Sequence, residues 1–252
     1  MSSDDLSDRD RGVLALVAAA RVVSCRQIER ACFPAGAGSE LSAARRCRRV
    51  LARLVATDYL RRLDRRIGGS SAGSSDFLYR IGGRGRTSLG LSGRAGRWEP
   101  GERFVAHQLA VSQVHVELLA AQQQGLARRL RIVHEPDNWR RYLDGQSQAM
   151  LKPDLLVELS TSSGWELRWW VEVDRSTEHL PTVLRKAQRY EHYWRSGAEL
   201  RHHPVFPRVF WSVPDQRRAD ELRAGLASRG HNPELFVVGT AEQTTNQLLE
   251  GR

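Results

Sequence analysis

Asp154, Glu172 and Asp174 are the residues of this 252-residue chain whose types and spacing could do chemistry. Asp154 closes Lys152-Pro153-Asp154, directly ahead of the apolar run Leu155-Leu156-Val157, while Glu172 and Asp174 stand in and beside Trp169-Trp170-Val171-Glu172-Val173. Such runs read as sheet strands buried on at least one face, where an unpartnered carboxylate is strongly disfavoured by desolvation. Residues i and i+2 of a strand share a face, so Glu172 and Asp174 are expected to point together and to converge with Asp154. A sheet that gathers oxygens in this way suits a hard cation such as Mg²⁺.

The elements that must position these acids follow from the hydrophobic pattern. A helix is expected from Glu102 to Gln124, then strands Leu130 to His134, Asp154 to Leu159 and Glu166 to Val173, with Ser160 to Gly164 as the turn joining the two acid-bearing strands. A helix from Pro181 to Trp194, a strand from Arg208 to Val213, a helix from Gln216 to Arg229 and a strand from Leu235 to Val238 complete the pattern. The order is αβββαβ followed by αβ, an α/β region with a mixed sheet, on which the Glu102 helix is expected to dock, pairing with a copy of itself being the alternative.

Pro153-Asp154, a spacer with a hairpin turn and then Glu172-x-Asp174 resemble the signature of the PD-(D/E)xK nucleases. The resemblance implies a catalytic set of Asp154, Glu172, Asp174 and Lys186. Asp154 and Glu172, joined by Asp174, would be the ligands of Mg²⁺ or Mn²⁺ if the site is active, with no cofactor otherwise. Asp174 stands where that superfamily has a lysine. A carboxylate can add a ligand there but cannot give positive charge to the developing phosphorane. Two metals, a basic group from elsewhere, or lost catalysis are the alternatives. Lys186 is the basic group to consider, because Val183, Ala187, Tyr190 and Trp194 make a buried seam with Lys186 along its edge and Tyr190 four residues on. Lys-x-x-x-Tyr resembles the Gln-x-x-x-Tyr helix of RecB-type members. The other reading is a surface lysine lying over a tyrosine.

The phrase Val171-Glu172-Val173-Asp174-Arg175-Ser176-Thr177-Glu178 also resembles the Glu-Val-Asp-Arg-Gly-Thr-Glu phrase of the replication-relaxation family. Its members come from actinobacterial plasmids and mobile elements. Lys152-Pro153-Asp154 upstream and Arg185-Lys186-x-x-Arg189-Tyr190 downstream extend the likeness. The family implies plasmid or element DNA as the partner.

Charge separates the chain into two domains, 1–98 and 99–252. The first carries 19 Arg and 9 acids, the whole formal net charge of +10, and the second carries 20 bases and 20 acids. A basic module of that kind is the electrostatic footprint of nucleic-acid binding. Ser7-Asp8-Arg9-Asp10 starts a helix to about Ala20, Ser24 caps a second from Cys25 to Cys32, and a third runs from Ser39 or Ser42 to about Thr57. On the third, Ala44, Cys47, Leu51, Leu54 and Val55 share one face, and Arg45, Arg46, Arg49 and Arg53 are expected to be exposed on the opposite one. Strands Tyr59 to Leu63 and Phe77 to Ile81 follow, joined by a tip that carries Arg65 and Arg66, and Gly82 to Gly101 reads as a linker. Three helices and a basic hairpin resemble a winged helix-turn-helix domain. In such a domain the third helix enters the major groove and the wing touches the backbone or minor groove.

Three cysteines without metal-binding spacing, Cys25, Cys32 and Cys47, read as reduced thiols, and the longest early apolar run, Val13 to Ala20, is too short to span a membrane. A cytoplasmic protein is expected, with double-stranded DNA as partner, a homodimer as an option, and neither a membrane nor a small-molecule substrate. No phosphate-cradling Gly-rich loop and no Gly-x-Ser-x-Gly occurs. The expected function is DNA binding for the replication, maintenance or transcriptional control of a plasmid or mobile element, with a nuclease-like, degenerate second domain. The alternative is a Mg²⁺-dependent DNA endonuclease or nickase guided by the winged helix.

Overall fold

A computed structural model describes residues 6–34, 40–67, 76–91 and 100–251, the side chains of 64–67 excepted. The chain divides into two compact units, Met1–Ala120 and Ala121–Arg252.

The first unit starts with α1 (Asp8–Ala20), β1 (Val23–Ser24), α2 (Cys25–Cys32) and α3 (Glu40–Ala56), and continues with β2 (Leu60–Ile67), β3 (Asp76–Ile81), α4 (Gly83–Ser88) and α5 (Glu102–Gln123). Both early helices start where the sequence carries a cap. Ser7 and Asp10, and likewise Ser24 and Gln27, satisfy each other's backbone N–H groups in reciprocal capping boxes. The strands form an antiparallel sheet in the order β1-β3-β2. Val13, Leu14 and Val17 of α1, Ile28 of α2 and Cys47, Leu51 and Leu54 of α3 bury into one core with Leu60 and Tyr79 of the sheet. Each such aliphatic side chain removed from water contributes about 1.5–3 kcal/mol.

Where β3 leaves the sheet, Gly82 donates its N–H to the Tyr59 carbonyl, and a Cβ there would meet the Asp58 carbonyl oxygen at 2.2 Å. Only glycine lets the chain pass that close. The expected linker therefore begins as helix α4, and its remainder, 92–99, lies outside the described residues, as do 68–75 of the expected wing tip.

The expected docking of the Glu102 helix on the second sheet is corrected by its contacts. Gln27 donates its side-chain N–H to the Leu109 carbonyl of α5 at 2.8 Å, and Ser112 donates its hydroxyl to the Val22 carbonyl at 2.9 Å. Val105 packs with Val22 and Leu78, and Val116 enters the α1–α3 core. The helix is apolar on more than one side, so its pattern did not select the surface it covers.

The second unit contains β4 (Ala127–His134), β5 (Arg140–Asp144), β6 (Ser147–Leu151), β7 (Leu155–Thr161) and β8 (Glu166–Val173), then α6 (Leu180–Arg195), β9 (Arg208–Val213), α7 (Gln216–Ser228), β10 (Phe236–Thr240) and α8 (Thr244–Glu250). Five strands form a mixed sheet in the order β10-β9-β8-β7-β4. β4, β7 and β8 are antiparallel neighbours, whereas β9 and β10 run parallel to β8. The α/β order along the chain is as expected, with two additions: the hairpin β5–β6 is inserted before the strand that follows Asp154, and helix α8 follows β10.

Trp170, Val209, Trp211 and Val238 face a core closed by Val183, Leu184, Ala187, Tyr190 and Tyr193 of α6, Leu222 of α7 and Tyr142 of the hairpin. Parallel neighbours require crossover helices, and these cover the sheet face that they cross. Tyr193 takes the seam position expected for Trp194, packing edge-on against Tyr142 with ring centroids 5.1 Å apart, and Trp194 is exposed. On the opposite face Trp169 donates its indole N–H to the Leu248 carbonyl of α8. No helix among the described residues is long and apolar enough to cross a membrane.

Candidate functional site

Asp154 and Glu172 are brought together by the antiparallel register of β7 and β8. Leu155 pairs with Val171 and Leu156 with Trp170, so Asp154, one residue before the ladder begins, falls opposite Glu172. One oxygen of Asp154 accepts the Val173 backbone N–H at 2.7 Å. Glu172 is 1% exposed, and both of its oxygens are engaged, one by the Lys186 ammonium and the other by the Tyr190 hydroxyl. Lys186 and Tyr190 are four residues apart on α6, one helical turn, which lets both reach a single carboxylate. The Lys186 Nζ also lies 5.9 Å from the ring centre of Trp211, the residue paired with Glu172 on β9.

Burial pushes the Glu172 carboxyl up to about 7. The Lys186 charge opposes that rise and the neighbouring Asp154 charge adds to it. For Lys186, burial acts to lower the pKa, but the facing charges of Glu172 and Asp154 more than offset it and hold the ammonium above its ordinary range. The Tyr190 hydroxyl is raised well above its ordinary value by burial and by the Glu172 charge.

Asp174 does not join this group. It lies just past the end of β8, where one oxygen accepts the Ser176 N–H and the other accepts the Arg218 Nε–H, both at 2.7 Å. Arg218, on the first turn of α7, also donates to the Glu178 carbonyl and to Glu221. The expected i, i+2 geometry holds, since Glu172 and Asp174 both reach helices on the same sheet face. Arg218, absent from the sequence expectation, draws Asp174 to α7 while Lys186 holds Glu172 at α6. Among the described residues no group of three His, Cys, Asp or Glu side chains could hold a metal ion. The two remaining acids, adjacent hard-oxygen donors, fit a divalent cation such as Mg²⁺ or Mn²⁺ provided Lys186 or Tyr190 yields an oxygen of Glu172.

In the first unit α3 exposes Arg45, Arg46 and Arg49, together with Arg48, on the side opposite buried Ala43, Cys47, Leu51 and Leu54. Arg46 donates to Ser42 across one turn. Arg53 corrects the expected row of four exposed arginines: its guanidinium donates at 2.6 Å to Asp10, which is 2% exposed. For Asp10, burial acts to raise the pKa, but Arg53 and the Ser7 backbone N–H and hydroxyl outweigh it and hold the carboxyl low. Arg53 thus ties α3 to α1. Arg65 and Arg66 lie on β2, and their side chains are outside the described residues.

Residues 14–209 match the family model described as Replication-relaxation. No curated protein and no solved structure matches the chain.

Proposed function

The chain belongs to the replication-relaxation family, and we propose that it is a DNA-binding protein acting in the replication, maintenance or transcriptional control of a plasmid or mobile element. The observation that carries this reading is α3, whose exposed arginines sit on a helix anchored by its opposite face. The order α1-β1-α2-α3-β2-β3 with sheet order β1-β3-β2 supports a winged helix-turn-helix assignment for the first unit. In that geometry α3 lies in the major groove, with arginines meeting phosphates and base edges of duplex DNA. The test is binding of a labelled duplex carrying the cognate site by wild type and by Arg45→Ala/Arg46→Ala/Arg49→Ala. A variant that stays folded and binds as wild type removes the assignment.

A second reading, favoured by one observation, is a metal-dependent endonuclease or nickase. Lys186 arrives from α6 beside Glu172 and Asp154, which supplies the cation missing from the strand position held by Asp174 and supports a PD-(D/E)xK-like second unit. Asp154 and Glu172 would hold Mg²⁺ or Mn²⁺. When bound, such an ion polarises a phosphoryl oxygen and lowers the pKa of water. Lys186 would place positive charge beside the phosphoryl oxygens that carry the transition state's negative charge, and Tyr190 would fix the Glu172 carboxylate. Nicking of a supercoiled plasmid by wild type with Mg²⁺ or Mn²⁺, absent in EDTA and in Asp154→Ala, is the expected result. A plasmid shifted by binding but never nicked leaves only the first reading.

A further inference from the structure

We propose that the second unit carries its own contact surface for a nucleic-acid phosphate backbone, formed by Arg185 and Arg189 on α6 and by Lys152 at the base of the β5–β6 hairpin. This rests on the DNA-binding reading and extends it to a surface outside α3. Residues 99–252 carry equal numbers of acids and bases, so a basic surface there is local and not a consequence of net charge.

One stripe of α6 borders the buried seam: Thr182, Arg185, Lys186, Arg189 and His192 recur at three- and four-residue spacing, with Arg185 and Arg189 exposed and the other three half-buried. Arg185 donates to Thr182 within that stripe, which holds its guanidinium along the helix edge. The hairpin is fastened to the same edge. Tyr142 donates its hydroxyl to the Arg189 carbonyl, and His192 meets Asp144 at 3.1 Å.

Lys152 follows directly on β6 and precedes Asp154 by two residues, and its ammonium lies 4.4 Å from the ring centre of Trp139 while remaining exposed. An indole face holds a lysine in place without neutralising it, so the charge stays available to a ligand. The chain contains 37 Arg and only two Lys, Lys152 and Lys186. Lys186 is half-buried against Glu172, and Lys152 stands exposed two residues from Asp154. Exposed cations therefore flank the Asp154–Glu172–Lys186 group on two elements, with Glu178 as an acid in electrostatic reach of Lys186. Cations spaced along an edge fit a polyanion, and side chains that reach no base edge give binding without sequence preference.

The experiment measures affinity of the full chain for a non-cognate duplex by fluorescence anisotropy across a salt series. It compares wild type, Lys152→Ala/Arg185→Ala/Arg189→Ala, Arg45→Ala/Arg46→Ala/Arg49→Ala, and an equal-charge control, Arg128→Ala/Arg129→Ala/Arg229→Ala, at exposed positions elsewhere in the second unit. Circular dichroism checks that each variant is folded. The log–log salt slope of the Lys152 variant is expected to be shallower than wild type by about 2 to 3, one unit per lost phosphate contact, with the control unchanged. Equal slopes for wild type and the Lys152 variant, or an equal loss in the control, overturn the inference and leave α3 as the DNA contact. Wild type that binds no duplex at any salt overturns both readings together.

Discussion

The arginines of α3 in the first unit and Lys186 in the second are cations in opposite surroundings. On α3, Arg45, Arg46 and Arg49 stand in solvent, and in the second unit Lys186 is held against a carboxylate that is 1% exposed. Exposed cations contribute little to the fold, because water screens them, and they act on a polyanion at a distance. A buried pair is the reverse: its partners must match each other, and removing one strands the other in a medium that disfavours charge. Changes on α3 should therefore alter binding without altering stability, and changes at Lys186 should alter stability first. Arg53 lies between the two cases, half-exposed yet bonded to buried Asp10.

The largest effect is expected on α3. Arg45→Ala/Arg46→Ala/Arg49→Ala should weaken cognate duplex binding roughly 1000-fold at moderate salt, with an unchanged melting temperature. A loss of stability in that variant would break the comparison. Next comes Lys186→Met, which should destabilise the protein by about 3 kcal/mol at pH 8, read from urea unfolding. The effect should shrink towards pH 5. The folded-state pKa of Glu172 lies above its unfolded value, so the folded state binds the extra proton, and stability from that group is present at low pH and lost as pH rises towards about 7. Without Lys186, which opposes the rise, the loss extends to higher pH. A deficit independent of pH would mean that the ammonium does not compensate the buried carboxylate.

Arg53→Ala should cost about 1 to 2 kcal/mol in stability, because Asp10 stays buried without its guanidinium. The folded pKa of Asp10 is depressed, so its contribution is present above the unfolded pKa and lost as pH falls through the folded one. The Arg53→Ala deficit should accordingly fade in acid, which urea midpoints at pH 3 and pH 7 would reveal. The smallest effect belongs to Ser176, whose φ of 55° lies in the left-handed region beside Asp174. Ser176→Gly should stabilise the protein by up to about 1 kcal/mol by relieving that strain, with melting temperature as the readout.

The helix caps at Ser7 and Ser24 and the strands on either side of the Ser160 to Gly164 turn follow from local chemistry and lie close to where they are expected. The β5–β6 hairpin was not legible, because Arg140 to Asp144 and Ser147 to Leu151 carry little apolar alternation. Tyr142 and Leu151 anchor the hairpin by reaching the α6–sheet core from its edge. Of the candidate site, Asp154, Glu172 and Lys186 meet, whereas Asp174 is drawn away by a guanidinium 44 residues further on. A separation of that length leaves no periodic trace.

The sequence by itself determined the charge asymmetry, the positions of most helices and strands, and the adjacency of Asp154 and Glu172. Each depends on residue type or on a period of 2 or 3.6 that the chain carries locally. The tertiary structure alone decided which carboxylate meets which cation, that Arg53 anchors Asp10, and that α5 packs on the first unit. Those outcomes depend on how elements pack across long separations, where the burial of one charge makes its partner obligatory but does not name it.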